Sequence, residues 1–322
     1  NSAVAADAEA AGVWCVRADD AAASAAWVPA VGGVDDVQVA VTAGGDPRRA
    51  ARLRVAVTAP LREGRLPLRR TRRPAGEPGR VALVGGGPGD PDLITVRGRR
   101  LLAGADVVVV DRLAPRELLA ELDPDVEVVD AGKAAGSHRL RQEQINAVLV
   151  ERARRGARVV RLKGGDPFLF GRGGEEALAC ARAGVPYEVV PGVTSAIGVP
   201  AAAGIPVTHR GTAQQLVITT GHLEPGHPDS GLDWARVAGA HGTLVLLMAV
   251  ERLEQVVAAL IRHGRPADTP VAVIQRGTTA AERTVTGDLG SIGGRVAAAG
   301  LGPPAVVVVG DVVRLRTALA PG

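Results

Sequence analysis

The sequence predicts an α/β protein with two lobes, the first built on a largely parallel sheet. Three observations carry that prediction. Short runs of β-branched residues recur, of which the four valines 107–110 are the clearest. Stretches with helical apolar spacing stand between them. Glycine-rich turns follow several of the runs. Continuous apolar strands alternating with helices belong to sheets covered on both faces.

In chain order, residues 81–84 read as a buried strand ending in glycines, 95–103 as a short helix, and 107–110 as a second strand stopping at Asp111. Residues 126–129 read as a third strand. Residues 139–155 read as a helix, with Ile145, Val148 and Leu149 on one face. Residues 158–162 are a strand leading into a Gly-Gly-Asp-Pro turn, 174–183 a helix and 187–190 a strand. The stretch 191–211 is broken by Pro and Gly. Beyond it, 216–220 and 243–247 read as strands. Residues 251–263 form a helix whose Leu253, Val256, Val257, Leu260 and Ile261 share a face, and Gly264 and Pro266 stop it. Strands at 271–275, 283–286 and 305–309 complete a second sheet. The expected division is 1–60, a linker at 61–79, a lobe at 80–211 and a lobe at 212–322. The crevice between lobes is the expected ligand site.

A chain of 322 residues has material for two or three domains. Two Phe, three Trp and one Tyr leave the cores to small aliphatic side chains. No apolar run approaches the roughly 18–20 residues that span a bilayer, and no basic-then-apolar leader is present. We expect a cytoplasmic protein with no membrane association. Asn1 stands where an initiator would, which suggests a processed or truncated piece. Cys15 and Cys180 are far apart, and no cluster has metal-ligand spacing, so neither a metal nor a disulfide framework is expected. The net charge is +4, and residues 61–79 are rich in Arg, Pro and Gly. With no aromatics to stack bases, this stretch reads as a solvated basic linker and not as a nucleic-acid arm.

Four segments carry chemistry. The first is Gly85-Gly86-Gly87-Pro88-Gly89-Asp90-Pro91. It follows a strand, and Asp111 ends the next one, as in a dinucleotide site. The details argue otherwise. Pro88 and Pro91 remove two N–H donors, and Asp90 would repel a pyrophosphate. A loop around a ligand without phosphate fits better. The second segment runs from Arg161 to Glu176 and holds Lys163-Gly164-Gly165-Asp166-Pro167-Phe168. Its glycines allow close backbone approach, and Asp166 can accept from an ammonium or hydroxyl. The third is Pro191-Gly192-Val193-Thr194-Ser195-Ala196, continued by Gly204 to Arg210. The fourth is Asp130-Ala131-Gly132-Lys133. Each of the last two, alone, reads equally well as an ordinary connection.

Taken together and in this order, these segments resemble the uroporphyrinogen-III C-methyltransferases, a branch of the class III tetrapyrrole methyltransferases. The resemblance covers about residues 80–316. It implies the two-lobed tetrapyrrole methylase fold, S-adenosyl-L-methionine as co-substrate, and a homodimer. The implied reaction methylates uroporphyrinogen III at C2 and C7 to give precorrin-2. By position it places Pro88, Gly164, Gly165, Asp166, Leu169, Thr194, Ser195, Met248 and Gly277 around the cofactor. Asp111 matches the family's proton acceptor and Lys133 its proton donor. Leu247 stands where the family commonly has an aromatic before the Met. Trp14 to Asp20 and Val37 to Pro47 resemble the later part of the precorrin-2 dehydrogenase/ferrochelatase module of siroheme synthase. That likeness implies a partial Rossmann-like segment without its nucleotide-binding half, inactive as it stands.

A sulfonium methyl is already activated, so the protein's work is alignment and exclusion of water. A carboxylate at a strand end, such as Asp111, suits the proton that must later leave the macrocycle, or the charge on the alkylated ring. Uroporphyrinogen carries eight carboxylates, which arginine forks bind well. Arg112, Arg139 and Arg210 are the residues considered for that role. Three alternatives stand beside this reading: a cobalamin-pathway methyltransferase acting at another carbon, a NAD-dependent dehydrogenase/chelatase, and a tetrapyrrole-binding protein.

Overall fold

The structure, a computed structural model, describes residues 2–17, 19–20, 23–24, 26, 28–70, 76–132 and 140–319. The N-terminal segment holds α1 (Ser2–Ala10), β1 (Ala30–Val34), β2 (Val37–Val41) and α2 (Pro47–Glu63). Only Asp35 and Asp36 join β1 to β2, and a link that short permits only an antiparallel pair. Over the described residues, the expected Rossmann-like segment is therefore an antiparallel hairpin with a helix against it. Asp46 caps α2, accepting from Arg49 N, and Pro47 opens the helix.

The linker reading of 61–79 needs two corrections. Helix α2 runs through Pro60 and ends only where Gly64 adopts φ 70°, so the stretch begins with a helical turn. Arg69, Arg70 and Glu77 are also docked rather than solvated. Arg69 lies 3.2 Å from Asp123, Arg70 lies 2.7 Å from Asp36, and Glu77 lies 2.8 Å from Arg158.

The first lobe contains β3 (Arg80–Gly85), α3 (Val96–Ala103), β4 (Val107–Val110), β5 (Glu127–Asp130), α4 (Gln142–Arg154), β6 (Arg158–Lys163), α5 (Gly173–Arg182) and β7 (Tyr187–Val190). Its strands are all parallel, in the order β5-β4-β6-β3-β7. Alternate side chains feed two cores. Val81, Leu83, Val107, Val109 and Val159 meet Leu149 of α4 and Cys180 of α5. Ala82, Val84, Val108, Val160 and Leu162 meet Leu102 of α3. Because the strands are parallel, their C-terminal ends share one edge. A cavity of about 440 Å³ lies at the opposite edge, where Arg80 and Arg158 begin their strands and Arg70, Arg97 and Arg100 line the walls. Arg97 and Arg100 are paired there with Glu188 and Asp35.

The second lobe contains α6 (Ser195–Ala202), β8 (Leu216–Thr220), α7 (Trp234–Gly239), β9 (Thr243–Leu247), α8 (Leu253–Arg262), β10 (Pro270–Gln275), β11 (Arg283–Asp288), α9 (Ile292–Ala299), β12 (Ala305–Val309) and α10 (Leu315–Leu319). The sheet order is β11-β10-β12-β9-β8; only β8 and β9 pair in parallel. One face is covered by α7, α8 and α9. The other receives α6 together with Ile205, Val312 and Leu169, the last reaching over from the first lobe.

Helix α6 lies in the stretch read as merely broken by Pro and Gly. Thr194 starts it by accepting from Ala196 N, and Pro200 sits inside it. Although α6 precedes residue 211, it packs on the second sheet. Among the described residues, no helix is long and apolar enough to cross a membrane.

Candidate active site

Strand direction assembles the site. Gly85, Val110, Asp130, Lys163 and Val190 end their strands at one edge of the first sheet. In the second lobe, β8, β9 and β10 run the same way, so Thr220, Leu247 and Gln275 also end at one edge. Loops from C-terminal strand ends are where open α/β sheets bind ligands.

The glycine loops are locked to each other. Gly165 N donates to Gly87 O at 2.7 Å, and Gly87 N to Gly165 O at 3.3 Å. Gly86 N donates to Lys163 O at 2.8 Å. These donors are committed within the protein, which removes the N–H groups a pyrophosphate would need. Where the three loops converge, a Cβ on Gly85 would stand 2.6 Å from Gly192 Cα and 2.7 Å from Gly165 O. Gly165 itself has φ 67°, and the space a Cβ would enter opens toward Ser195 N at 3.7 Å. The loops here form a wall of backbone packed on backbone, and of these three glycines only Gly165 leaves its Cβ space open.

Asp166 holds the turn. Its Oδ1 accepts from Phe168 N at 2.8 Å and its Oδ2 from Gly192 N at 3.0 Å. One side chain thus ties its own loop to the one that leads into α6. The second lobe closes in through residues 276–279. Asp90 N donates to Thr278 Oγ1 at 3.1 Å, and a Cβ on Gly277 would collide with Val199 of α6. Pro88 borders Gly198 of the same helix.

Strain collects around this edge. Phe170, Arg172, Met248, Arg276 and Thr278 all hold positive φ without being glycine. Such residues cost on the order of 1–3 kcal/mol each and gather where a loop must be held in one shape. Met248 follows β9 with φ 57° and is 47% exposed, an apolar side chain left open at the second lobe's edge.

Asp111 follows β4 at the rim, and its N–H donates to Leu162 O at 2.9 Å. Its carboxylate lies 3.2 Å from Arg161 Nη2. Arg161 belongs to a buried charged group that the sequence reading did not assemble. Its Nε donates to Glu176 Oε1 at 2.9 Å, and Lys163 Nζ reaches the same oxygen at 3.1 Å. Burial pushes the Lys163 ammonium below lysine's ordinary range, and neighbouring Arg161 pushes the same way, while Glu176 opposes both. A signal for this group was present. Arg161 and Lys163 alternate at the inner end of a strand whose Val159, Val160 and Leu162 are buried, so both point to one face.

The structure therefore brings Pro88, Gly164, Gly165, Asp166, Thr194, Ser195 and Gly277 into one loop cluster, with Leu169 packed beside it and Met248 and Asp111 at strand ends. Arg112 and Arg210 are exposed, with Arg112 beside Gly132. Lys133 and Arg139 lie outside the described residues.

Two α/β lobes, loops that converge backbone to backbone at their strand ends and a carboxylate at the end of β4 suit the positioning of a small molecule rather than a phosphate-binding fingerprint. Residues 80–293 match the family model described as tetrapyrrole (corrin/porphyrin) methylases, and the chain belongs to that family. Its relatives include an S-adenosyl-L-methionine-dependent uroporphyrinogen III methyltransferase of Methanosarcina barkeri, 49% identical over 245 residues, covering 76% of this chain and 96% of that protein. A siroheme synthase of Methylobacillus flagellatus is 48% identical over 242 residues; the match covers 75% of this chain and 51% of that protein. Among solved structures, a uroporphyrin-III C-methyltransferase of Thermus thermophilus complexed with S-adenyl homocysteine has a TM-score of 0.63 and 44% identity, covering 74% of this chain and 94% of that one.

Proposed function

We propose that this enzyme transfers methyl groups from S-adenosyl-L-methionine to C2 and C7 of uroporphyrinogen III, giving precorrin-2 for siroheme or cobalamin synthesis. The observation that carries the reading is the convergence of Gly85, Gly165 and Gly192 into a wall of backbone packed on backbone, with Asp111 at the end of β4. The family and the names of the relatives support the choice of substrates.

The residues present fit the cofactor. The open Cβ space at Gly165 lets a ligand approach the main chain closely there, while Gly85 and Gly192 let the loops pack into one surface around it. Gly164, Gly165, Asp166, Thr194 and Ser195 would hold it from the first lobe's loops, with Pro88 and Leu169 beside them. Gly277 and Met248 would hold it from the second lobe. The bound cofactor supplies a methyl group already activated on a sulfonium. The protein orients the pyrrole carbon toward it and excludes water; alignment of this kind contributes up to ~7–11 kcal/mol in favourable models. Asp111 accepts the proton that the methylated macrocycle releases. Lys133 is the proton donor in this reading, and Arg112, Arg139 and Arg210 bind substrate carboxylates.

The reading extends to a cytoplasmic homodimer. It also makes the N-terminal hairpin and α2 part of a dehydrogenase/chelatase-like module. Incubation with methyl-labelled S-adenosyl-L-methionine and uroporphyrinogen III tests the central reaction. Label in the tetrapyrrole supports it. Unlabelled tetrapyrrole with intact binding marks a carrier instead, and a heat signal on titration with NAD marks a dehydrogenase.

A further inference from the structure

Arg161 stands between two carboxylates of different exposure. Glu176 is fully buried, whereas the Asp111 side chain is 38% exposed. The guanidinium of Arg161, itself 2% exposed, gives its Nε edge to Glu176 and its Nη2 to Asp111. Its Nη1 donates to Val109 O at 3.2 Å and to Leu162 O at 3.4 Å. Leu162 O is the same carbonyl that accepts from Asp111 N. The fork is thus fixed on β4, the strand that leads into Asp111, and on its neighbour β6. Glu176 is fixed in turn, since its Oε1 also receives Lys163 Nζ and, at 3.3 Å, Gln142 Nε2.

Stability gives no reason for this arrangement. Buried charges cost several kcal/mol each to desolvate, and well-packed apolar residues commonly serve the fold as well or better. A planar, pre-organised fork offers direction instead. We propose that Arg161 is a positioning residue for methyl transfer. Anchored from beneath by Glu176, it fixes one oxygen of Asp111 and leaves the other turned to the crevice, where the macrocycle's proton departs. The inference rests on the reading of Asp111 as proton acceptor.

A double-mutant cycle tests it on the full chain, with kcat measured on uroporphyrinogen III and affinity measured for S-adenosyl homocysteine. The variants are Arg161→Lys, Asp111→Asn and the two combined. Arg161→Lys keeps the cation but loses the fork, and we expect kcat to fall on the order of tenfold or more, the scale of a charge-assisted hydrogen bond. Affinity for S-adenosyl homocysteine should stay within about twofold. In the Asp111→Asn background the same change should cost less than about twofold, because residues acting through one another are not additive. Equal losses in both backgrounds, or a parallel loss of cofactor affinity, would overturn the inference while leaving Asp111 its role. Full turnover by Asp111→Asn alone would overturn both. Glu176→Gln repeats the cycle if Arg161→Lys does not fold. It removes the anchoring charge at nearly constant shape, and its loss of kcat should likewise vanish when Asp111 is Asn.

Discussion

Asp111 pairs with buried Arg161 at 3.2 Å, and its side chain stays 38% exposed. Replacing it by Ala should lower kcat by roughly 10²–10⁴-fold, the usual worth of a positioned acid–base group. Binding of S-adenosyl homocysteine, measured by calorimetry, should be nearly unchanged, since Asp111 stands at the rim and not in the glycine wall. Gly165 should behave in the opposite way. Gly165→Ala places a methyl group on a residue at φ 67°, facing the space toward Ser195. We expect a stability loss of about 1–2 kcal/mol from the backbone strain and a larger loss of cofactor affinity, the two being separated by denaturant unfolding and calorimetry. At this scale the glycines, Asp111 and Met248 were legible in the sequence, because each sits in a recognisable segment. Arg161 and Glu176 were not singled out. They lie 15 positions apart on a strand and a helix, and only the packing of α5 on the sheet makes them partners.

At the scale of elements, α6 links the site to the second lobe's core. Its N-terminal residues, Thr194 and Ser195, face the glycine wall, while Ala196 and Val199 are buried under the second sheet. Thr194→Ala removes the cap that accepts from Ala196 N and should cost about 0.5–2 kcal/mol in denaturant unfolding. It should weaken cofactor binding as well, since the same turn bounds the crevice. The sequence concealed this helix because Gly198 and Pro200 lie inside it. Both are tolerated for reasons of packing: Gly198 leaves room for Val193 and Pro88, and Pro200 is buried. Helices α7 and α9 were missed for a related reason, being short, with Gly293 and Gly294 weakening the helical pattern of α9. The strands were far easier to read, since a run such as 107–110 has no other plausible use. Helix α5 supplies a further test through Cys180. Burial pushes that thiol from an ordinary 9.0 up to about 11. The raised value means its contribution to stability is complete below pH 9 and is lost as the pH rises through about 11. Below that window an alkylating reagent should modify Cys15 in the native protein and reach Cys180 only after unfolding, as mass spectrometry of digests will show.

Across the whole molecule, loops from the strand ends of the two lobes meet, and the N-terminal segment is docked at the far edge of the first sheet. The two-lobed plan was legible, since strand and helix patterns repeat on either side of 191–211. The docking of the basic stretch was not, because arginines in a Pro/Gly-rich stretch look solvated until the lobe's carboxylates are placed beside them. Asp35, Asp36 and Glu77 pair with Arg100, Arg70 and Arg158, so this contact should loosen with salt. Proteolysis within residues 64–79 should accelerate between low and high ionic strength, while methyl transfer from the opposite edge should retain its rate per active site. The chemistry at that edge is read from the mass of the tetrapyrrole product. After exhaustive reaction of uroporphyrinogen III with S-adenosyl-L-methionine, the product should carry two added methyl groups, located at C2 and C7 by isotopic labelling and NMR. A product unchanged in mass, or methylated at other carbons, would rule out C2 and C7 methylation of uroporphyrinogen III by this enzyme.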